Sequence, residues 1–91
     1  MVVTLEEAKL YLRVDGDEEN TLITKFILTA EDLCEEILRI KLEEFEKVPE
    51  PIRIAILYAV ANMYEGRENL NMKSVIEVMK RLVFAYRKES W

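Results

Sequence analysis

The 91-residue sequence contains two glycines, two prolines, one cysteine and no histidine. The absence of histidine removes the commonest general base and the commonest transition-metal ligand. A single cysteine excludes an intrachain disulfide, and two glycines far apart exclude a glycine-rich phosphate loop. The longest apolar run, residues 54–61, is far shorter than the roughly 20 residues that cross a bilayer. We therefore expect neither enzymatic activity, nor a cofactor, nor a metal, nor a membrane span.

The net charge of −5 is distributed unevenly along the chain. Residues 1–50 carry 6 Lys/Arg and 14 Asp/Glu, whereas residues 51–91 carry 7 and 4, so the halves have net charges of −8 and +3. An ordinary solvated surface accounts for this pattern. The alternative is a head-to-tail contact, in which the acidic half of one subunit faces the basic half of the next. Because the basic residues are dispersed, we expect no sequence-specific nucleic-acid partner.

Two amphipathic helices are predicted in the first half. Thr4 and Glu7 form a capping box that opens a short helix, which should end near Arg13, before turn-forming residues. Asp17 is expected to cap the second helix. Its apolar stripe comprises Leu22, Ile23, Phe26, Ile27, Ala30, Leu33, Cys34, Ile37 and Leu38. Since Cys34 lies on this stripe, we expect a buried, reduced thiol.

Residues 48–68 predict a central helix that is apolar almost all the way round. Pro51 fits its first turn, and Gly66 is expected to end it in the left-handed conformation. One face consists of Ile52, Ala55, Ile56, Ala59, Val60 and Met63, and the opposite face contains Ile54, Leu57, Tyr58, Ala61 and Tyr64. The second face needs cover from the same chain or from a neighbouring subunit. We take Ile54, Leu57, Tyr58 and Tyr64 as candidate subunit-interface residues.

The connections on either side of this helix allow alternatives. Over residues 39–47 the second helix either continues toward Phe45 or breaks near Ile40, with a helical turn over residues 42–46. Asn71 or Ser74 caps a final helix, whose stripe is Val75, Val78, Met79, Leu82, Val83 and Tyr86. The prediction is one all-α domain, residues 1–91, with four principal helices and a short irregular connection before the central helix. The predicted core contains Phe26, Ile27, Ala30, Cys34, Ile37, Ile56, Val60, Met63, Met79 and Leu82.

The acidic residues from Asp15 to Glu19 invite comparison with a calcium-binding EF-hand loop. Counted from Asp15, the sixth position is Asn20 instead of glycine, and the twelfth is Phe26 instead of glutamate. This comparison fails. The remaining carboxylates lie opposite apolar stripes, where nothing encloses them as a catalytic acid requires, so they are interpreted as solvated faces.

Several strings together resemble the phage head-tail connector proteins, an adaptor or DNA-packaging family of tailed phages and prophages. They are T-L-E-E-A-K-L-Y-L-R-V-D at residues 4–15, T-A-E-D-L at 29–33, V-P-E-P-I-R-I-A-I-L at 48–57, Y-E-G-R-E at 64–68 and L-V-F-A-Y-R-K-E-S-W at 82–91. The sequence departs from the family pattern at residues 39–47, where a glycine-containing loop is usual, and lacks a proline common before the last helix.

The resemblance implies a ring, commonly of twelve subunits, that lies beneath the portal and joins it to the next neck or tail-completion protein. The implied location is the virion neck, with assembly in the host cytoplasm. In such adaptors the C-terminal segment reaches toward the portal, so the resemblance makes candidate portal-docking residues of Phe84, Tyr86, Arg87, Lys88 and Trp91. Trp, Tyr and Arg often dominate interface energetics.

Two other function classes remain open from the sequence. A small regulatory or antitoxin-like protein would act through homodimerisation. A DNA-binding helix-turn-helix domain would need polar and basic residues near the start of its recognition helix, and the final helix offers only Asn71, Lys73 and Ser74 there. With no signal peptide visible, the cytoplasm is the expected compartment for either.

Overall fold

Four α-helices and two 3-10 turns form the described part of the chain, residues 1–66 and 69–87, in a computed structural model. The helices are α1 (Leu5–Leu12), α2 (Asn20–Leu38), α3 (Glu50–Glu65) and α4 (Met72–Val83). The 3-10 turns span Leu42–Glu44 and Phe84–Tyr86. No strand occurs within these described ranges. The prediction of an all-α fold with four principal helices is confirmed.

The capping box at the start of α1 forms as predicted. The Glu7 backbone N–H donates to Thr4 Oγ1 at 3.1 Å, and the Thr4 N–H donates to Glu7 Oε1 at 3.3 Å. α1 ends at Leu12, and Arg13 takes the left-handed conformation with a φ of 62°. Both predicted ends of this helix are therefore confirmed.

The start of α2 differs from the prediction, because Asp17 is not its cap. The helix begins at Asn20, with Glu19 in the capping position and no side-chain cap. The Asp17 carboxylate instead accepts hydrogen bonds from Lys9 Nζ at 2.9 Å and from Asn20 Nδ2 at 3.3 Å. The Asn20 backbone N–H bonds to the Asp17 carbonyl oxygen, so a separate turn precedes the helix. Asp17 thus ties the α1–α2 connection to α1.

At its other end α2 breaks after Leu38, so the second alternative for residues 39–47 is correct. Arg39 takes the left-handed conformation with a φ of 60°, and the chain then forms the Leu42–Glu44 turn. Glu35 Oε2 accepts a hydrogen bond from the Leu42 backbone N–H at 2.7 Å. This carboxylate on α2 therefore fixes the turn against the helix that precedes it.

Gly66 ends α3 but does not adopt the predicted left-handed conformation. Its φ is −105°, and its backbone N–H donates to the Asn62 carbonyl oxygen at 2.9 Å. A Cβ at this position would lie only 2.9 Å from that same oxygen. The glycine therefore provides room for a close backbone approach and is not needed for a positive φ. Residues 67 and 68 of the predicted central segment lie outside the described residues.

Asn71 caps α4, since its side-chain oxygen accepts from the Ser74 backbone N–H at 3.2 Å. Ser74, the other candidate, lies inside the first turn of the helix.

α3 packs against both α2 and α4, and α1 contacts α2 and α3. The central helix thus receives cover from all three other helices.

The core contains eight of the ten predicted residues. Phe26 and Leu82 are only half-buried and pack at its edge. All six residues of the predicted inner face of α3 are buried. Cys34 is fully buried, and desolvation raises the pKa of its thiol to about 12. The prediction that the thiol is buried is therefore confirmed.

Candidate assembly surfaces

The outer face of α3 is an apolar surface that the chain covers only in part. Ile54 is 44% exposed, while Leu57 and Tyr58 are half-buried. These three residues are called the α3 strip. Four-residue spacing places Ile54 and Tyr58 one above the other, and Leu57 lies beside them. The chain itself therefore covers Leu57 and Tyr58 in part, and Ile54 is the position of the three with most surface left over.

Tyr64, the fourth candidate subunit-interface residue, is engaged within the subunit. It lies two turns beyond Leu57 and is half-buried. Its hydroxyl donates a hydrogen bond to Glu19 Oε1 at 2.5 Å. This bond joins the end of α3 to the residue that precedes α2. Tyr64 therefore holds the bundle together in addition to bordering the α3 strip.

Arg53 and Glu31 anchor the N-terminal segment, which the sequence analysis did not foresee. Arg53 Nη1 donates to the Val2 carbonyl oxygen at 2.8 Å, and the guanidinium also pairs with Glu7. Glu31 Oε2 accepts from the backbone N–H groups of Val2 at 2.7 Å and Val3 at 3.0 Å. Val3 is fully buried. The segment before α1 is thereby fixed between α2 and α3.

The ion pair between Arg53 and Glu7 also shifts the pKa values of both groups. The hydrogen bond from Arg53 is the main reason why the pKa of Glu7 lies below its ordinary value of 4.5. The same bond raises the pKa of Arg53, so both groups remain charged at neutral pH. Nothing in the local sequence indicates this pair, because 46 residues separate its members. It is a contact of the folded state alone.

A second surface is an open groove between α2, the N-terminal segment and the Leu42–Glu44 turn. It consists of two adjoining depressions of about 370 and 470 Å³. The α2 groove, as we call it, is lined by Met1, Val2, Leu28, Glu31, Asp32, Glu35, Glu36, Arg39, Ile40, Lys41, Leu42 and Glu43. Five carboxylates and two cations give these side chains a net charge of −3. Leu28 is 49% and Met1 is 62% exposed, so the groove also offers apolar surface.

The third surface follows the exposed side of α4 into the C-terminal segment. Lys73, Lys80 and Arg81 are exposed on the helix. Beyond them Phe84 is 70% exposed, and Tyr86 and Arg87 are exposed as well. Three of the five candidate portal-docking residues are therefore accessible. The other two, Lys88 and Trp91, lie outside the described residues.

Neither a metal site nor a membrane span is found within residues 1–66 and 69–87. No three Cys, Asp or Glu side chains there converge closely enough to hold a metal ion. In the same part of the chain, no helix combines the length and hydropathy of a transmembrane segment. The groove carboxylates are thus spread along a surface and do not form a chelating cluster.

These observations define a small all-helical protein with separate apolar and charged surfaces suited to contacts with other proteins. A family model described as "Phage gp6-like head-tail connector protein" matches residues 2–89. The match covers nearly the whole chain, so the protein belongs to the gp6-like head-tail connector family, as the resemblance implied. Membership gives it a structural role in the phage neck. Comparisons with curated proteins and with solved structures found no match.

Proposed function

We propose that the protein is the neck adaptor that assembles as a ring beneath the portal and joins the DNA-filled head to the tail. The observation that carries this proposal is the family match over residues 2–89. The arrangement of surfaces supports it. Its partners are the portal protein, the next neck or tail-completion protein and further copies of itself, commonly twelve to a ring in the family. Its place is the virion neck, after assembly in the host cytoplasm.

The positions of the α3 strip and the α2 groove favour a ring. The buried residues of α3 face the other three helices, and the α3 strip lies on the outer side of the same helix. The groove residues of α2 are likewise opposite its buried stripe. The two surfaces are therefore separate patches on different helices. Two unlike patches on different sides generate a head-to-tail contact, which closes into a ring when the rotation between copies is suitable.

We assign portal docking to the C-terminal segment, with Phe84, Tyr86 and Arg87 as its accessible residues and Lys88 and Trp91 continuing it. Phe84 contributes little to the core, given its exposure. An exposed aromatic side chain beside an arginine is typical of an interface anchor.

Deletion of residues 87–91 tests portal docking. We expect the melting temperature to change little and attachment to portal-bearing capsids to be lost, as measured by co-sedimentation. Leu10→Ser is a matched control, because Leu10 is exposed on α1 and belongs to none of the three surfaces. Unfolding of the truncated protein would place the segment in the core. Normal attachment would move the docking surface elsewhere, and the loop of residues 39–47 would be tested next.

The solution state separates the adaptor from the regulatory alternative. An adaptor that assembles on a portal template should be a monomer or weak oligomer at low concentration, as measured by size-exclusion chromatography with light scattering. A tight dimer with a two-fold interface would contradict the ring, because a two-fold contact uses the same patch on both copies and cannot be extended. That result would favour an antitoxin-like homodimer.

A further inference from the structure

We infer that the α2 groove of one copy receives the α3 strip and the basic side of α4 of the next copy. This inference rests on the proposed ring and names the two surfaces that meet in it. It assigns a partner to the groove, an acidic surface that the contacts between described residues leave open.

The outer carboxylates of the groove have no partner within the subunit. Glu31 and Glu35 are used internally, since they accept backbone hydrogen bonds from the N-terminal segment and from Leu42. Asp32 and Glu36, by contrast, are exposed and make no hydrogen bond or ion pair with any described residue. The inner carboxylates therefore shape the groove, and the outer pair is left to attract a cationic surface.

The exposed side of α4 carries the matching charge. Lys80 and Arg81 are exposed and, like Asp32 and Glu36, pair with no described residue. Lys73 lies two turns before Lys80, and Glu77 is the single acidic residue of the helix, so α4 has a net charge of +2. α4 packs against α3, so the basic side chains and the α3 strip lie on two neighbouring helices.

The apolar parts of the two surfaces match as well. Leu28 and Met1 are exposed in the groove, and Ile54 is exposed on the α3 strip. Contact between copies would remove these side chains from water, which is the main favourable term in association. The opposite charges would set the register of the contact and exclude a like-with-like arrangement. A second copy thus supplies both the apolar and the basic surface that the groove fits.

Other occupants fit less well. A metal ion needs converging ligands, and the described carboxylates do not converge. Nucleic acid would be repelled by a surface with five carboxylates and two cations. A portal or tail protein is the remaining alternative occupant, and the experiment below separates it from a second copy.

Charge reversal on each side tests the inference. Asp32→Lys/Glu36→Lys makes the outer groove basic, and Lys80→Glu/Arg81→Glu makes the α4 side acidic. Each variant alone should self-associate at least about tenfold more weakly than the wild type, since like charges would face each other. An equimolar mixture should assemble again, because each variant then meets an opposite charge on the other. The chain with all four substitutions should also assemble alone. Sedimentation equilibrium and ring formation on portal-bearing capsids are the measurements.

Glu6→Lys/Asp15→Lys is the matched control, because it makes the same charge change on exposed carboxylates outside the groove. It should assemble as the wild type does. If both reversal variants assemble normally, the inference is wrong and the proposed ring stands. If both fail but neither the mixture nor the fourfold variant assembles, the groove binds something other than α4, and the inference is again wrong. If the wild type forms no ring even on portal-bearing capsids, the proposed function is wrong, and the inference that rests on it is wrong as well.

Discussion

Substitution of two isoleucines on α3 distinguishes effects on folding from effects on assembly, because the two side chains differ in burial on the same helix. Ile56 is fully buried, and Ile54 is 44% exposed. Replacing Ile56 with alanine removes three buried carbons, worth about 0.8 kcal/mol each, and leaves a cavity. We expect a cost of about 3–4 kcal/mol. A domain of this length is stable by only about 5–14 kcal/mol, so the melting temperature should fall by roughly 12–25 °C.

Ile54→Ala should behave differently. It loses a side chain that is already half in water, and alanine's higher helix propensity returns about 0.4 kcal/mol. We expect the free energy of unfolding to change by less than about 1 kcal/mol, while self-association weakens. Circular dichroism during thermal and urea unfolding measures the first quantity, and sedimentation equilibrium measures the second. Equal losses of stability in the two variants would show that the α3 strip belongs to the core.

A small effect of the inner substitution would refute the assignment of faces. If Ile56→Ala lowers the melting temperature by only a degree or two, α3 does not bury the face that the structure shows. Ile37→Ala on α2 provides a second measurement of the same kind, with an expected cost of about 2–5 kcal/mol. Agreement between the two would place both helices in one cooperative core.

Three further predictions concern groups that the structure buries or pairs. Glu31→Gln should lower the free energy of unfolding by about 1–2 kcal/mol, because it removes the charged group that accepts hydrogen bonds from the Val2 and Val3 N–H groups. Hydrogen exchange at these two amides should become faster. Unchanged exchange would contradict the role of Glu31 as an anchor of the N-terminal segment. The pKa of Glu7 is lowered in the folded state. Its carboxylate therefore adds about 0.5–1 kcal/mol to the free energy of unfolding at this exposure. This contribution is present above pH 4.5 and is lost as the pH falls through the lowered pKa. The stability difference between wild type and Glu7→Gln should therefore vanish in acid, and a difference constant with pH would exclude the Arg53 pair as its source. The raised pKa of Cys34 contributes stability that is fully present below pH 9 and is lost as the pH rises toward 12. Alkaline unfolding should therefore begin at a higher pH in Cys34→Ala. A thiol reagent at pH 8 should also modify the native protein far more slowly than the unfolded protein.

The helices themselves followed from the sequence because their signals are local. The capping box joins Thr4 and Glu7, three residues apart, and the inner face of α3 repeats every three or four residues. Such patterns are complete within one or two turns, so they predict both the helix and its buried side. The strings that resemble connector proteins are also local, and they identified the family before any contact was known.

Tertiary structure decided how individual polar residues are used. Asp17 has the right chemistry for a cap, but Lys9 and Asn20 take its carboxylate. Gly66 has the right freedom for a left-handed end, but a close approach to the Asn62 carbonyl oxygen uses it instead. In each case several local roles were open to one residue, and neighbours fixed by the fold selected among them.

The surfaces depended on the fold entirely. Arg53 reaches Val2 across 51 residues of sequence, and Glu31 reaches it across 29. One of the two depressions of the α2 groove depends on these contacts, which hold the N-terminal segment beside α2. Composition determined that the first half of the chain is acidic and the second half basic. The fold decided which of these charges meet, since Arg53 of the second half pairs with Glu7 of the first. The direction of a side chain beyond its own helix is set by what that helix packs against.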